Sequence, residues 1–354
     1  ATIAKRLKAK PEDIAHSETA NNLIAADNYS SLSECDLVIE AVFEDPALKA
    51  KTLSTIETHL NPNAILASNT STLPISGLAE ALKNKNDFLG IHFFSPVDKM
   101  RLVELIKGKE TSERALAIGF DYSRLISKTP IIVNDARGFF ANRCVLNYLL
   151  EGHLMLAEGY PPAFIENVAR MAGMPVGPLA LSDEVALDLI HRIITATRYA
   201  LGENAINPVQ SEIITSLVEK HQRFGRKNGR GFYDYAPGAP KRLWAGLKEF
   251  HKTSQNIDHL DIVEAKFRLL ATQALEAART MDENIVLDAR EADIGAILGF
   301  GFAPYTGGPL SMIDGMGVKI FNQKCEALQK RYGERFSIPK NLKAMADISE
   351  RFYN

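Results

Sequence analysis

The sequence predicts an α/β fold followed by an all-α part. An incomplete parallel sheet with crossover helices spans residues 1–133, a helical domain spans 134–240, and a second helical domain over 258–354 repeats the first. Three observations carry this reading. Between residues 35 and 135 short apolar runs alternate with longer amphipathic ones, the pattern of strands joined by crossover helices. After Asp135 long amphipathic stretches replace the strand series. Two segments of the last hundred residues align, in the same order, with two segments of the first helical part, the mark of a duplication.

Taken in order, "CDLVIEAV" predicts a strand, "DPALKAKTLSTIETHL" a helix, "AILAS" a strand, "STLPISGLAEAL" a helix and "FLGIHF" a strand. "RLVELIKG", a helix over about 111–128 and "PIIVND" complete the sheet domain. Next come the helical stretches "ANRCVLNYLLEGHLMLAEG" and "PAFIENVARMAGM". "GRKNGRGFYDYAPGAP", at 225–240, concentrates glycine, proline and basic residues and reads as a loop or short hairpin closing that domain. Its Arg226 and Lys227 are either solvated or a phosphate contact. In the second helical part, "ALEAARTMDEN" at 274–284 aligns with "LLEGHLMLAEG" at 149–159, matching Glu276 to Glu151 and Glu283 to Glu158. "GPLSMID" at 308–314 aligns with "GPLALSD" at 177–183.

Composition narrows the class. A net charge of −2 over 354 residues offers no basic field for nucleic acid or an anionic membrane. The cluster Lys5, Arg6, Lys8 and Lys10 reads as a solvated helix face rather than a phosphate clamp. Cys35, Cys144 and Cys325 are far apart, with neither metal-ligand nor disulfide spacing, which suits a reducing compartment. No apolar run reaches the roughly 18 residues of a membrane span, and the start shows no signal-peptide core. The opening "ATIAKRLKAK" lacks an initiator methionine and begins inside a helical pattern, so the chain is expected to be the inside of a longer polypeptide.

Four places carry candidate chemistry. If "FLGIHF" and the strand from Leu102 form a hairpin centred near Asp98, His92 faces Glu104. A histidine backed by a carboxylate is a general-base arrangement; an ordinary strand-end ion pair is the alternative. "SNTS", Ser68 to Ser71, follows a strand at the sheet's carboxyl edge, where ligands of open α/β sheets bind. It would serve equally as a helix cap. "VFEDPALK" also follows a strand and offers Glu44 and Lys49, with Asp45 and Pro46 fitted to start a helix. Asn142, in "DARGFFANR", lies where sheet passes to helices, a usual cleft position.

With these residues in view the sequence resembles the L-3-hydroxyacyl-CoA dehydrogenase family. The motifs are "VIEAVFEDPALK", "ILASNTSTLPI", "LGIHFFSPVDKMRLVELIKG", "ARGFFANR", "AGMPVGPLALSDEVALD" and "GRGFYDY", in family order over most of residues 30–235. "DAREADIGAILGFGFAPYTGG" is similar to the repeated carboxyl-terminal domain of multifunctional fatty-acid β-oxidation α-subunits. The resemblance implies an NAD-dependent oxidation of L-3-hydroxyacyl-CoA to 3-ketoacyl-CoA. In it His92 is the base, Glu104 its orienting carboxylate, and Ser71 and Asn142 hold the substrate oxygen. Val42, Phe43, Glu44, Lys49, Ser71 and Ser95 contact NAD, and Tyr305 faces the substrate region. Some family members have asparagine at position 95. No metal is implied. The implied partners are the acyl-CoA substrate, a thiolase β-subunit, a second copy in a homodimer and an enoyl-CoA hydratase domain in the same parent. Bacterial cytoplasm is the implied location, with mitochondrion or peroxisome for a eukaryotic parent.

One feature departs from the family. A Rossmann domain grips the pyrophosphate with a glycine-rich first turn and the ribose with a downstream acid. Here the first glycine is Gly77 and no G-x-G-x-x-G occurs. The expectation is that the first strand, phosphate loop and acid lie upstream, that this chain alone binds NAD weakly, and that its open sheet edge favours aggregation or a partner. The alternatives are a noncatalytic acyl-CoA-binding or assembly module and a 3-hydroxybutyryl-CoA dehydrogenase.

Overall fold

The computed structural model describes residues 22–251 and 255–353. The basic cluster Lys5 to Lys10 lies outside the described residues, as does the rest of 1–21. Among the described residues a five-stranded sheet runs in chain order: β1 Leu37–Glu40, β2 Ile65–Ser68, β3 Phe88–Phe93, β4 Leu102–Lys107 and β5 Thr129–Asn134. β1, β2 and β3 are parallel, β3 and β4 form an antiparallel hairpin, and β5 runs parallel to β4. Crossovers are α1 Pro46–Glu57, α2 Ile75–Ala79 and α3 Glu113–Leu125.

Period-two alternation sorts the strands onto two faces. Ile65, Ala67, Leu89, Ile91, Val103 and Leu105 pack with Ala115 and Leu116 of α3 in one core. Their neighbours Leu66, Phe88, Leu102 and Ile106 join the larger core that continues through both helical parts. His92 and Glu104 are in phase with the second set, so they sit on the face toward the helices.

α1 starts as its sequence suggests, with Asp45 accepting from Leu48 N and Pro46 at the first helical position. α3 is trimmed to Glu113–Leu125 by its Ser112 cap. α2 covers only five residues of "STLPISGLAEAL". Its first amides, Ile75 N and Ser76 N, donate to the carboxylate of Asp135 rather than to a local cap.

The helical part begins with α4 Ala141–Ala157, α5 Pro162–Met171, α6 Pro178–Val185, α7 Leu187–Leu201 and α8 Pro208–Thr215. The glycine-rich stretch forms a short hairpin, β6 Tyr233–Asp234 with β7 Arg242–Leu243. Arg226 and Lys227 pair with Glu184 and Asp188, so both cations face protein carboxylates. The second set is α9 Ile262–Asp282, α10 Ala289–Phe300, α11 Pro309–Met316, α12 Val318–Tyr332 and α13 Lys340–Ile348.

The two helical sets repeat in their hydrogen bonds. Glu166 accepts from Leu179 N at the start of α6 and from Tyr233 Oη; Asp293 accepts from Leu310 N at the start of α11 and from Tyr353 Oη. Asp183 binds the amides of Phe232 and Tyr233; Asp314 binds those of Phe352 and Tyr353. Between the sets the ion pairs are reciprocal. Arg143 of α4 reaches Glu276 at 2.6 Å and Glu283 at 3.2 Å, while Arg268 of α9 reaches Glu151 at 2.6 Å and Glu158 at 2.7 Å.

The second set also covers the β5 edge of the sheet. On β5, Ile132 N donates to Glu291 at 3.1 Å and Asn134 N to Ile285 O at 2.8 Å, which satisfies donors that an edge strand would leave open. α10 approaches closely because Gly295 and Gly299 face inward. A Cβ at Gly295 would lie 2.7 Å from Ile131 and one at Gly299 2.6 Å from Leu102.

Candidate active site

Hairpin register places His92 opposite Glu104. His92 Nδ1 lies 2.7 Å from Glu104 Oε2, with both side chains buried. Glu104 Oε1 accepts from Phe140 N at 3.2 Å and Ala141 N at 2.8 Å, the amides that open α4. A helix N-terminus favours the carboxylate there. With Glu104 accepting at Nδ1, the imidazole keeps its proton on that nitrogen. Nε2 makes no hydrogen bond among the described residues. The ring packs against Phe94 and Phe139, with centroids at 4.4 Å and 5.8 Å.

The strand-end turns form a second, connected group. Glu44 Oε1 accepts from Thr70 Oγ1 at 2.6 Å, Ser71 N at 3.0 Å and Thr72 N at 3.2 Å. "SNTS" is therefore organised by a carboxylate from the neighbouring loop rather than by capping α2. Ser71 is exposed, and its carbonyl accepts from Asn142 Nδ2 at 2.8 Å, which joins the sheet to α4. Asn69 Oδ1 accepts from Phe93 N at 3.4 Å, tying this turn to the end of β3.

Val42 and Phe43 remain 36% and 71% exposed at the end of β1. Lys49 instead is 0% exposed, with Glu40, Val42 O and Asn69 O around its ammonium at 2.9, 3.2 and 3.1 Å. Ser95 is exposed beyond β3 and precedes a cis Pro96. Tyr305 is 73% exposed, and its ring covers Gly173 in the α5–α6 connection. Among the described residues no cluster of His, Cys, Asp or Glu has metal-holding geometry.

Sequence reasoning missed Glu40 and the Phe140 and Ala141 amides. For Glu40 a signal existed, a charge ending the apolar run "LVIE". The amides carry no side-chain signature.

A Rossmann-like sheet that ends in a buried histidine–carboxylate pair, and passes there into a helical part, defines a dinucleotide-binding α/β protein with a helical partner region. Residues 1–136 match the 3-hydroxyacyl-CoA dehydrogenase NAD-binding domain and 138–235 the C-terminal domain of the same family. The chain belongs to the 3-hydroxyacyl-CoA dehydrogenase family. It is 37% identical over 332 residues to the fatty acid oxidation complex subunit alpha of Shewanella halifaxensis, covering 92% of this chain and 46% of that protein. It thus spans about half the length of the curated relatives it matches. The (S)-3-hydroxybutyryl-CoA dehydrogenase of Ralstonia eutropha is 33% identical with a TM-score of 0.59, covering 66% of this chain and 82% of that one. The dehydrogenase part of multifunctional enzyme 1 from C. elegans is 25% identical with a TM-score of 0.66, covering 97% and 79%.

Proposed function

We propose that this chain carries the L-3-hydroxyacyl-CoA dehydrogenase activity of a fatty-acid β-oxidation enzyme, forming 3-ketoacyl-CoA with NAD. The observation behind this is the unpartnered Nε2 of His92, backed through Nδ1 by Glu104 at the carboxyl edge of the sheet. The residues present fit the nicotinamide end of the cofactor, because Val42 and Phe43 leave apolar surface open beside the polar turn of Ser71. When bound, NAD supplies the acceptor for the hydride leaving C3.

His92 Nε2 takes the 3-hydroxyl proton, and Glu104 stabilises the imidazolium that results. Asn142, held by Ser71 O, and the Ser71 hydroxyl orient the substrate oxygen. Val42, Phe43, Glu44 and Ser95 border the cofactor, Lys49 acts from behind them, and Tyr305 borders the acyl-CoA. The division at 1–133, 134–240 and 258–354 is part of this reading. So are a hydratase domain in the parent, a thiolase β-subunit or second copy as partner, and a cytoplasmic location. No helix among the described residues is long and apolar enough to cross a membrane.

The test is acetoacetyl-CoA-dependent oxidation of NADH by the full-length protein and its His92→Ala variant. Turnover that falls by about 10²–10⁴-fold in the variant supports the assignment. Acetoacetyl-CoA binding without turnover in the unaltered protein would reduce it to a binding module.

A further inference from the structure

Behind the exposed turns that follow β1 and β2 lies a buried polar cluster. Glu40 is 3% exposed; its Oε1 accepts from Lys49 Nζ at 2.9 Å and from Val42 N at 2.6 Å, and its Oε2 from Ser68 Oγ at 2.7 Å. The ammonium of Lys49 has three donors, and Glu40, Val42 O and Asn69 O take them. Glu44, itself partly exposed, stands 3.6 Å from the ammonium and holds the Ser71 and Thr72 amides. One cation thus meets two carboxylates, and the cluster carries one formal negative charge.

We propose that Glu40 is a positioning and charge-setting residue for the nicotinamide end of the site. Through Lys49 it fixes the Val42 and Asn69 turns and cancels the ammonium, leaving the Glu44 carboxylate to favour the positively charged oxidised ring over the neutral reduced one. The inference rests on reading the strand ends as the cofactor site. A charge in a half-buried site acts over several ångströms, and removing Glu40 alone would leave Glu44 and Lys49 in formal balance. A purely structural role for Glu40 would weaken both forms of the cofactor alike.

The full-length protein is titrated calorimetrically with NAD and with NADH, and the ratio of the two dissociation constants is read. Glu40→Gln is expected to shift that ratio about tenfold toward NADH. Lys49→Met is expected to shift it toward NAD, and the double variant Glu40→Gln with Lys49→Met to bring it back to within about threefold of the unaltered protein. The double variant leaves no buried charge unpaired at these two positions, so it keeps the comparison available if a single variant does not fold. Equal changes in both constants, or a tenfold-shifted ratio in the double variant, would overturn the proposal. If the unaltered protein binds neither nucleotide, the underlying reading of the strand ends is what fails.

Discussion

Two buried histidines show how environment decides what one residue type does. His92 has a carboxylate on one nitrogen and, among the described residues, no hydrogen bond on the other. His153 is fully buried, bonded to Ser182 at 2.9 Å and stacked on Phe232, and burial pulls it down to about 3. Replacing Glu104 by Gln still offers an acceptor to Ala141 N but can turn a donor toward His92 Nδ1, which favours the wrong tautomer. Turnover is expected to drop about 10²–10⁴-fold with KM little changed, as steady-state kinetics will read. For His153 the folded state resists protonation while the unfolded chain accepts it below about 6.5. Stability is therefore expected to fall by about 1.4 kcal/mol per pH unit as pH drops from there toward 3. Thermal melting across that window checks the slope, and His153→Gln is expected to flatten it.

At the scale of elements, the hairpin and α10 matter most. The register of β3 and β4 was legible because side chains alternate with period two, so one centre near Asp98 fixes every pair in the ladder. The length of α2 was not legible, because its cap comes from Asp135, distant in sequence. Docking of α10 on the sheet was equally hidden, since its two glycines are meaningful only once Ile131, Leu102 and Phe140 lie beneath them. Gly295→Val is expected to cost about 1–3 kcal/mol by overpacking, measured by urea unfolding. It should lower turnover as well, because the displaced Phe140 supplies an amide to Glu104.

Across the whole molecule, the two helical sets are tied by ion pairs that cross from one to the other. Glu151 is fully buried, and burial raises its pKa against the pull of Arg268 and Arg335. Arg268→Met leaves this carboxylate short of a partner and is expected to destabilise by about 3–5 kcal/mol. Arg143→Met, whose partner Glu283 is half-exposed and whose buried partner Glu276 keeps Arg279, is expected to cost less. Paired urea titrations of the two variants measure the difference. Alignment of Glu151 with Glu276 and of Glu158 with Glu283 was visible in the sequence. That an arginine from each copy closes on the other copy's glutamates was not.

By itself the sequence determined the order of elements, the duplication, and the pairing of His92 with Glu104, because each follows from local periodicity or short-range register. The tertiary structure alone decided that Lys49 is enclosed, that Glu44 organises the Ser71 turn, and that the second repeat seals β5. Those outcomes depend on which distant groups compete for the same donors, and a linear pattern does not record that competition.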